Sequence, residues 1–92
     1  MSDVDQTLRE RQARYGAFTG HADITQSLKQ MMLERPTTNW HALSDAHKEA
    51  LEMIAHKIGR ILNGDPNYRD NWHDIAGYAK LAEDACTTAD EA

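Results

Sequence analysis

Two glutamates, Glu49 and Glu52, are the first residues whose spacing suggests chemistry. They lie three positions apart in a segment with helical periodicity, so their carboxylates project from one face and can converge. On an exposed helix two like charges this close cost about 0.2–0.5 kcal/mol. A divalent cation such as Mg²⁺ would make the close approach of the two carboxylates favourable, because hard ions bind carboxylate oxygens. The alternative is a solvated face on which Glu52 contacts His56 and Glu49 contacts Lys48.

Asp74 is the next candidate, because the following predicted helix places it in a stripe with Tyr78, Leu81 and Ala85. A carboxylate in a largely apolar face must be paired, bind a metal ion or take up a proton. Asn71 lies three positions earlier, between the two apolar stripes of this helix. The alternative to metal binding is a hydrogen bond from a neighbouring helix end to Asp74, or a salt bridge with an arginine.

Lys57 and Arg60 are candidates for binding phosphate groups. They lie three positions apart on the same predicted helix as the two glutamates. Arginine can bind a phosphate through two parallel hydrogen bonds, whereas lysine acts as a point charge. The alternative is that both are solvated basic residues that balance an acidic chain.

The five histidines and the single cysteine, Cys86, form none of the usual metal or nucleophile motifs. No HExxH or Cys-x-x-Cys spacing is present, so a zinc site is not predicted. His47 falls on the apolar side of its helix and is predicted to be a hydrogen-bonded core residue. Cys86 continues an apolar stripe near a helix end and is predicted to be a buried, inert thiol.

Helical periodicity predicts four helices and no strand, so the predicted fold class is all-α. The first helix begins at a Ser2 N-cap and ends before Gly16. A turn containing two glycines separates it from the second helix, residues 21–34. The loop that follows is predicted to anchor Trp40 and Leu43 in the core.

The third helix has the most regular apolar stripe in the chain. It is predicted to begin after a Ser44 cap and to end at Gly64. The fourth helix is predicted to start at an Asp70 N-cap and to reach residue 85 or 86. Residues 87–92 are predicted to be a frayed tail.

Length and charge narrow the range of functions. The 92 residues are enough for one helical domain, residues 1–92, resembling a four-helix bundle. A chain this short buries only ~60–65% of the surface that it exposes when unfolded, which favours completion by other copies of itself. The net charge of −5 argues against nucleic-acid partners and anionic membranes. The absence of an apolar run of about 20 residues argues against a membrane span, and a single cysteine fits the cytoplasm.

Two stretches, EALEMIAHKIGRILNG and DNWHDIAGYA, resemble a group of small phage and prophage proteins. RYGAF at residues 14–18 and HKIGRILNGDPNY at residues 56–68 extend the resemblance, which spans residues 7–83. That group is in turn similar to the MazG-like, all-α nucleoside triphosphate pyrophosphohydrolases. The resemblance implies a homodimer or a tetramer, with Tyr15, Phe18, Trp72 and Tyr78 as wall or interface residues.

The resemblance also implies a magnesium site and a reaction. In the MazG-like enzymes, acidic pairs on two adjacent helices hold Mg²⁺, which binds the triphosphate and activates a water that releases pyrophosphate. The pairs correspond here to Glu49 with Glu52 and to Asn71 with Asp74. Asn71 departs from the pattern, because a neutral amide stands where the family usually has a glutamate, and this weakens the expected metal site.

The same resemblance places Lys57 and Arg60 toward the phosphates of a bound nucleoside triphosphate. Asn71 and Tyr78 complete the predicted substrate contacts. A different class of function is a non-catalytic helical module that binds a host or phage protein. The neutral Asn71 and the short chain favour this alternative.

Overall fold

Four α-helices form the computed structural model, which describes residues 3–86. No strand occurs in this part of the chain, so the all-α, bundle-like prediction is confirmed. The predicted Ser2 cap and the tail at residues 87–92 lie outside the described residues. The elements are α1 (Asp3–Tyr15), α2 (Phe18–Glu34), a 3-10 turn (Trp40–Ala42), α3 (Asp45–Asn63) and α4 (Arg69–Asp84).

Helix α3 is the centre of the fold, because α2 and α4 both pack against it. Helix α4 runs antiparallel to α3. His47 near the start of α3 contacts Ala82 near the end of α4, while Lys57 further along α3 contacts Asp74. The elements that carry the predicted chemistry are therefore neighbours in space.

The predicted ends of α3 are confirmed, and His47 is hydrogen-bonded as predicted, although it is half-buried rather than a core residue. Ser44 Oγ accepts a hydrogen bond from the His47 backbone N–H at 3.2 Å, and the Gly64 N–H donates to the Arg60 carbonyl at 3.0 Å. The half-buried His47 ring lies 2.7 Å from Ser44 Oγ through Nδ1 and 2.9 Å from the Ala82 carbonyl through Nε2. Because a carbonyl only accepts, Nε2–H is the donor, and both ring nitrogens are hydrogen-bonded.

Two helix starts differ from the sequence prediction because neither uses a capping side chain. Helix α2 begins at Phe18 rather than residue 21, after an Ala17 N-cap without a side-chain hydrogen bond. Helix α4 begins at Arg69, so the prediction of Asp70 as the N-cap is wrong. Asp70 lies instead in the first turn of α4, where its negative charge interacts favourably with the positive end of the helix dipole.

The turn between α1 and α2 is joined to the end of α3. Gly16 has a φ of +77°, and a Cβ at this position would overlap the Asn63 backbone. Only glycine satisfies both conditions without strain. The Asn63 side chain donates to the Tyr15 carbonyl at 2.8 Å, and the Asp65 N–H donates to the Arg14 carbonyl at 2.7 Å. Helix α1 buries none of its residues, and these two hydrogen bonds attach it to the end of α3 through its last turn.

The apolar core of the described residues is small. Its buried members are Trp40, Ala50 and Ala55, so Trp40 anchors its loop as predicted. Cys86 is exposed, and the prediction of a buried thiol is wrong. Helix α4 ends at Asp84, so its apolar stripe stops before the cysteine.

Polar residues occupy much of the remaining interior. The buried polar or charged residues are His21, Thr25, Lys57 and Asn71. Burial of polar groups is costly unless they are paired, so such a set is more typical of a functional site than of a structural core. None of the described helices combines the length and the apolar character needed to span a membrane.

Candidate functional site

A polar cluster lies between α2 and α3. His21 Nε2 is 3.2 Å from His56 Nδ1, and the two rings meet edge to face with centroids 4.6 Å apart. Thr25 Oγ1 lies 3.4 Å from the same Nε2 atom. The buried Nδ1 atom of His21 lies against Gly59 without meeting hydrogen-bond geometry. When both rings are neutral, the shared hydrogen bond leaves the pair with one N–H and one bare nitrogen.

Both imidazoles are uncharged near neutral pH because their surroundings disfavour a cation. Burial, followed by the charge of Arg60, lowers the pKa of His56 from its ordinary value of 6.5 to about 4. The same two causes lower the pKa of His21, and its approach to the Gly59 backbone offsets only part of that effect. The pair is therefore a neutral, polar surface between the two helices.

The histidine pair lines an open pocket of about 430 Å³ between α1, α2 and α3. This volume lies within the range of about 300–1,000 Å³ that is typical of small-molecule sites. The lining residues are Leu8, Arg11, Gln12, Tyr15, Gly16, Phe18, His21, His56 and Arg60.

The charge of this pocket is opposite to the charge of the chain. The sequence contains 15 acidic and 10 basic residues, yet no acidic residue is among those that line the pocket. Arg11 and Arg60 are permanently charged, and two imidazoles lie beside them. A cationic pocket in an acidic protein indicates an anionic ligand.

Arg60 is held in place by an aromatic ring. Its guanidinium carbon lies 4.1 Å from the centroid of the Tyr15 ring, which is a cation–π contact. Tyr15 meets Tyr68 edge to face at 5.9 Å, and Arg14 lies 5.1 Å from the Tyr68 centroid. Stacking uses the flat face of the guanidinium and leaves its edge for hydrogen bonds to an anion.

The second predicted cation, Lys57, is engaged elsewhere. Its ammonium lies 3.0 Å from Asp74 Oδ2, and the two side chains are 9% and 42% exposed. Asp74 is therefore paired, although with a lysine of α3 rather than with an arginine. Of the two residues predicted to bind phosphate, Arg60 lines the pocket and Lys57 is bound to a carboxylate.

Asn71 is the most buried side chain of α4, with 1% of its surface exposed. Its Nδ2 group has no hydrogen-bond partner. A glutamate here would bring a charge into a nearly inaccessible position, which is far more costly than an amide. Burial therefore accounts for the neutral residue at this position and separates it from the open pocket.

The predicted magnesium ligands are not gathered into one site. Glu49 is exposed, Glu52 is half-buried, and Asp74 is bound to Lys57. Within residues 3–86, no three His, Cys, Asp or Glu side chains are placed to share a metal ion. Within one chain, these residues therefore do not form the site of several carboxylates that the resemblance implies.

Tyr78 lines a different, shallow depression on α4, together with Asp74, Lys80 and Leu81. The ammonium of Lys80 is 2.7 Å from Asp84, so both lysines near this depression are paired with acids. It shares no lining residue with the arginine-lined pocket. The structure therefore places Arg60 and Tyr78, two of the predicted substrate contacts, on different surfaces.

The family described as a domain of unknown function (DUF6378) matches residues 2–86. The chain belongs to the DUF6378 family. The match covers all four helices, and so includes both the pocket and the Lys57–Asp74 ion pair. No curated protein and no solved structure shows significant similarity to this DUF6378 chain.

Sequence reasoning missed the His21–His56 pair of this DUF6378 chain. The two residues lie 35 positions apart, and neither belongs to a recognised metal or catalytic spacing. The available signal was their position beside the two family-like motifs, since His56 opens HKIGRILNGDPNY and His21 closely follows RYGAF. Of the four aromatic residues predicted as wall or interface residues, Tyr15 and Phe18 line the pocket, whereas Tyr78 and Trp72 lie on the surface of α4 outside it.

Proposed function

We propose that this protein binds nucleotides in the pocket between α1, α2 and α3, as a relative of the all-α nucleoside triphosphate pyrophosphohydrolases. The observation that supports this most strongly is the acid-free lining in which Arg60 is stacked on Tyr15. A nucleotide combines negative charge with a flat aromatic base, and both have a counterpart here. Arginine provides charge-assisted hydrogen bonds for phosphate, and aromatic rings provide surfaces for the base.

Phe18 supports the aromatic part of the ligand. It lines the pocket, is 78% exposed, and lies tilted to the His21 ring at 6.2 Å. Stacking of a base on an aromatic side chain contributes about 1–3 kcal/mol. An exposed phenylalanine beside cationic groups is thus a suitable platform for a base.

The sequence resemblance also suggests hydrolysis with Mg²⁺. That reaction requires a cluster of carboxylates, and the described residues of one chain do not form one. The proposal is therefore nucleotide binding, without a catalytic step. A phage or prophage origin and a location in the cytoplasm, where nucleoside triphosphates are found, are parts of the same proposal.

Nucleotide binding is tested by titrating the purified protein with ATP, GTP, CTP, UTP and their deoxy forms, with and without Mg²⁺, in a calorimeter. We expect at least one of them to bind, and Arg60→Gln to weaken its binding about 10–100-fold. The loss of hydrogen bonds to a charged group accounts for this range. The matched control is Arg35→Gln, which changes the net charge equally but lies at the far end of α2.

Equal weakening by Arg60→Gln and Arg35→Gln would assign the effect to net charge and contradict the pocket. Absence of binding to every nucleotide would overturn the proposed function. Pyrophosphate release in the same samples, measured with Mg²⁺ present, would extend the function to hydrolysis.

A second candidate function, a helical interaction module, is favoured by apolar residues left uncovered on the central helix. Leu51, Ile58 and Leu62 recur on one face of α3, and Leu62 is 68% exposed. Large exposed apolar side chains also occur on α2 and α4. Because the apolar core is so small, we propose that a second copy of the chain covers the α3 face.

Oligomeric state tests this candidate directly. We expect light scattering coupled to size exclusion to give twice the mass of one 10.4 kDa chain, or a multiple of it. Leu62→Lys is expected to shift the population toward monomer, because a buried, unpaired charge disfavours the interface. Leu81→Lys, at a similarly exposed position on α4, is the control. A wild-type monomer at all concentrations would exclude a second copy as the occupant of this face.

A further inference from the structure

The His21–His56 pair, in which His21 is buried and His56 half-buried, is the part of the pocket lining that nucleotide binding alone does not explain. Hydrophobic side chains of the same size would pack between α2 and α3 without the cost of desolvating two imidazoles. The pair shares a single 3.2 Å hydrogen bond and retains one bare nitrogen. It can therefore accept one proton at that nitrogen while keeping the shared hydrogen bond.

The charges around the pair explain why it is neutral in the free protein. On α3 it faces Arg60 and Lys57, on α2 it faces Lys29, and α1 contributes Arg11 to the pocket lining. All of these are cations, and the only other titratable side chain of the lining is Tyr15. Lys57 is offset by Asp74, whereas no carboxylate of the lining offsets the arginines.

An anion in the pocket reverses this balance. A phosphate dianion beside Arg60 neutralises the charge that opposes protonation and adds an attraction for an imidazolium. Electrostatic interactions are several times stronger in such a partly buried site than in bulk water. Protonation also converts the shared hydrogen bond into a charge-assisted one, which is shorter and stronger.

We propose that the His21–His56 pair takes up one proton from solvent when the pocket binds the phosphate dianion of a nucleotide. The proton forms an N–H bond at the bare imidazole nitrogen, and the positive charge is shared across the hydrogen bond between the rings. This inference rests on the proposed function. It adds that the phosphate binds as a dianion and that the affinity for the nucleotide depends on pH. Proton uptake by the pair therefore favours binding as the pH is lowered from 8 toward 6.

The sign of the coupling follows from linkage. If the ligand raises the proton affinity of the pair, protonation raises the affinity for the ligand by the same factor. Through the pair, we expect the dissociation constant of ATP to fall by up to about tenfold for each unit that the pH is lowered below neutrality, the limit for one coupled proton. Protonation of the phosphate near pH 6 acts in the opposite direction. In His56→Gln, which lacks the pair, the dependence on pH is expected to be reduced to that of the phosphate itself.

Proton uptake is measured by titrating ATP at pH 6.5 in three buffers with different ionisation enthalpies. The phosphate group itself titrates near pH 6 and so contributes to proton uptake. The number of protons taken up on binding is therefore compared between wild type and His56→Gln. We expect wild type to take up about half a proton more per nucleotide, since linkage equates uptake with the pH slope. Thermal unfolding checks that the variant is folded.

A measurement on the wild-type protein avoids dependence on the variant. In NMR spectra, the imidazole Cε1–Hε1 signal of His56 is expected to remain that of a neutral ring down to pH 5.5 in the free protein. With saturating ATP it is expected to move toward the imidazolium position at pH 6.5. Inorganic phosphate as ligand tests whether the anion alone is sufficient for the shift.

The two proposals fail in different ways. If ATP binds through Arg60 but proton uptake and the His56 signal are unchanged, the proton coupling is wrong and nucleotide binding stands. If no nucleotide binds and inorganic phosphate produces no shift, both are wrong. A shift with phosphate but no nucleotide binding would retain the anion site and reject the base-binding part.

Discussion

Asp74→Ala is expected to lower the free energy of unfolding by about 1–3 kcal/mol, because it leaves the Lys57 ammonium buried without a partner. The Lys57 side chain is only 9% exposed, so water compensates poorly for the lost carboxylate. The expected loss is below the 3–5 kcal/mol typical of fully buried pairs, since the Asp74 side chain is 42% exposed. For a domain of this size the change lowers Tm by ~4–8 °C for each kcal/mol.

Two comparisons make this prediction specific to the ion pair. Asp84→Ala breaks the contact with Lys80 on the surface of the same helix and should change Tm little. The double variant Lys57→Met with Asp74→Leu removes both charges and should be more stable than Asp74→Ala alone. If Asp74→Ala and Asp84→Ala unfold at the same temperature, the Lys57–Asp74 contact has no structural role.

This result bears on any test of Asp74 as a metal ligand. Loss of function in Asp74→Ala would follow equally from unfolding and from loss of a ligand. The charge-preserving variant Asp74→Glu, assayed below its own Tm, separates the two causes better than alanine.

Gly59→Ala is expected to destabilise the protein by about 1–3 kcal/mol, the usual cost of overpacking a filled interior. A Cβ at this position would overlap Thr25 Oγ1 and lie 2.9 Å from His21 Nδ1. Both neighbours are buried and hydrogen-bonded, so they cannot swing away without disturbing the histidine pair. We therefore expect a lower Tm and, in the same variant, weaker nucleotide binding.

Gly77→Ala is the matched control on α4. It is also a helical glycine, but a Cβ there meets nothing within 4 Å. Alanine should stabilise this helix by about 0.5–1 kcal/mol, because glycine loses more backbone freedom on folding. Opposite signs for the two substitutions would confirm the close approach at Gly59, whereas a gain in stability for both would contradict it.

The sequence predicted those elements that carry their own local signals. The apolar stripe, the Ser44 cap and the terminal glycine place α3 correctly at Asp45–Asn63. The start of α2 at Phe18 was missed because Ala17 carries no capping side chain and Asn63 anchors its carbonyl from 46 positions away. A contact at such a separation has no signature in either segment.

The candidate site was predicted only in part, because its geometry depends on how the helices pack. Arg60 was predicted from residue type and spacing, and it lines the pocket. Of the four aromatic residues that the resemblance suggested, Tyr15 and Phe18 line it, whereas Trp72 and Tyr78 do not. Spacing on one helix also suggested that Lys57 binds phosphate, but Asp74 on the next helix holds its ammonium. Whether a lysine is paired with an acid depends on the tertiary packing of neighbouring helices, which the periodicity of its own helix does not reveal.

Helix α1 is attached to the rest of the protein at one end, next to Gly16, and could tilt about that point. It contributes Leu8 and Arg11 to the outer wall of the pocket but is attached through its last turn. At 1.5 Å per residue, Leu8 lies about 12 Å from Gly16, so a tilt of about 10° moves it by about 2 Å. We therefore expect a tilt of α1 to change the width of the pocket for a larger or smaller base, because the histidine pair and Arg60 lie on α2 and α3 and not on the helix that tilts.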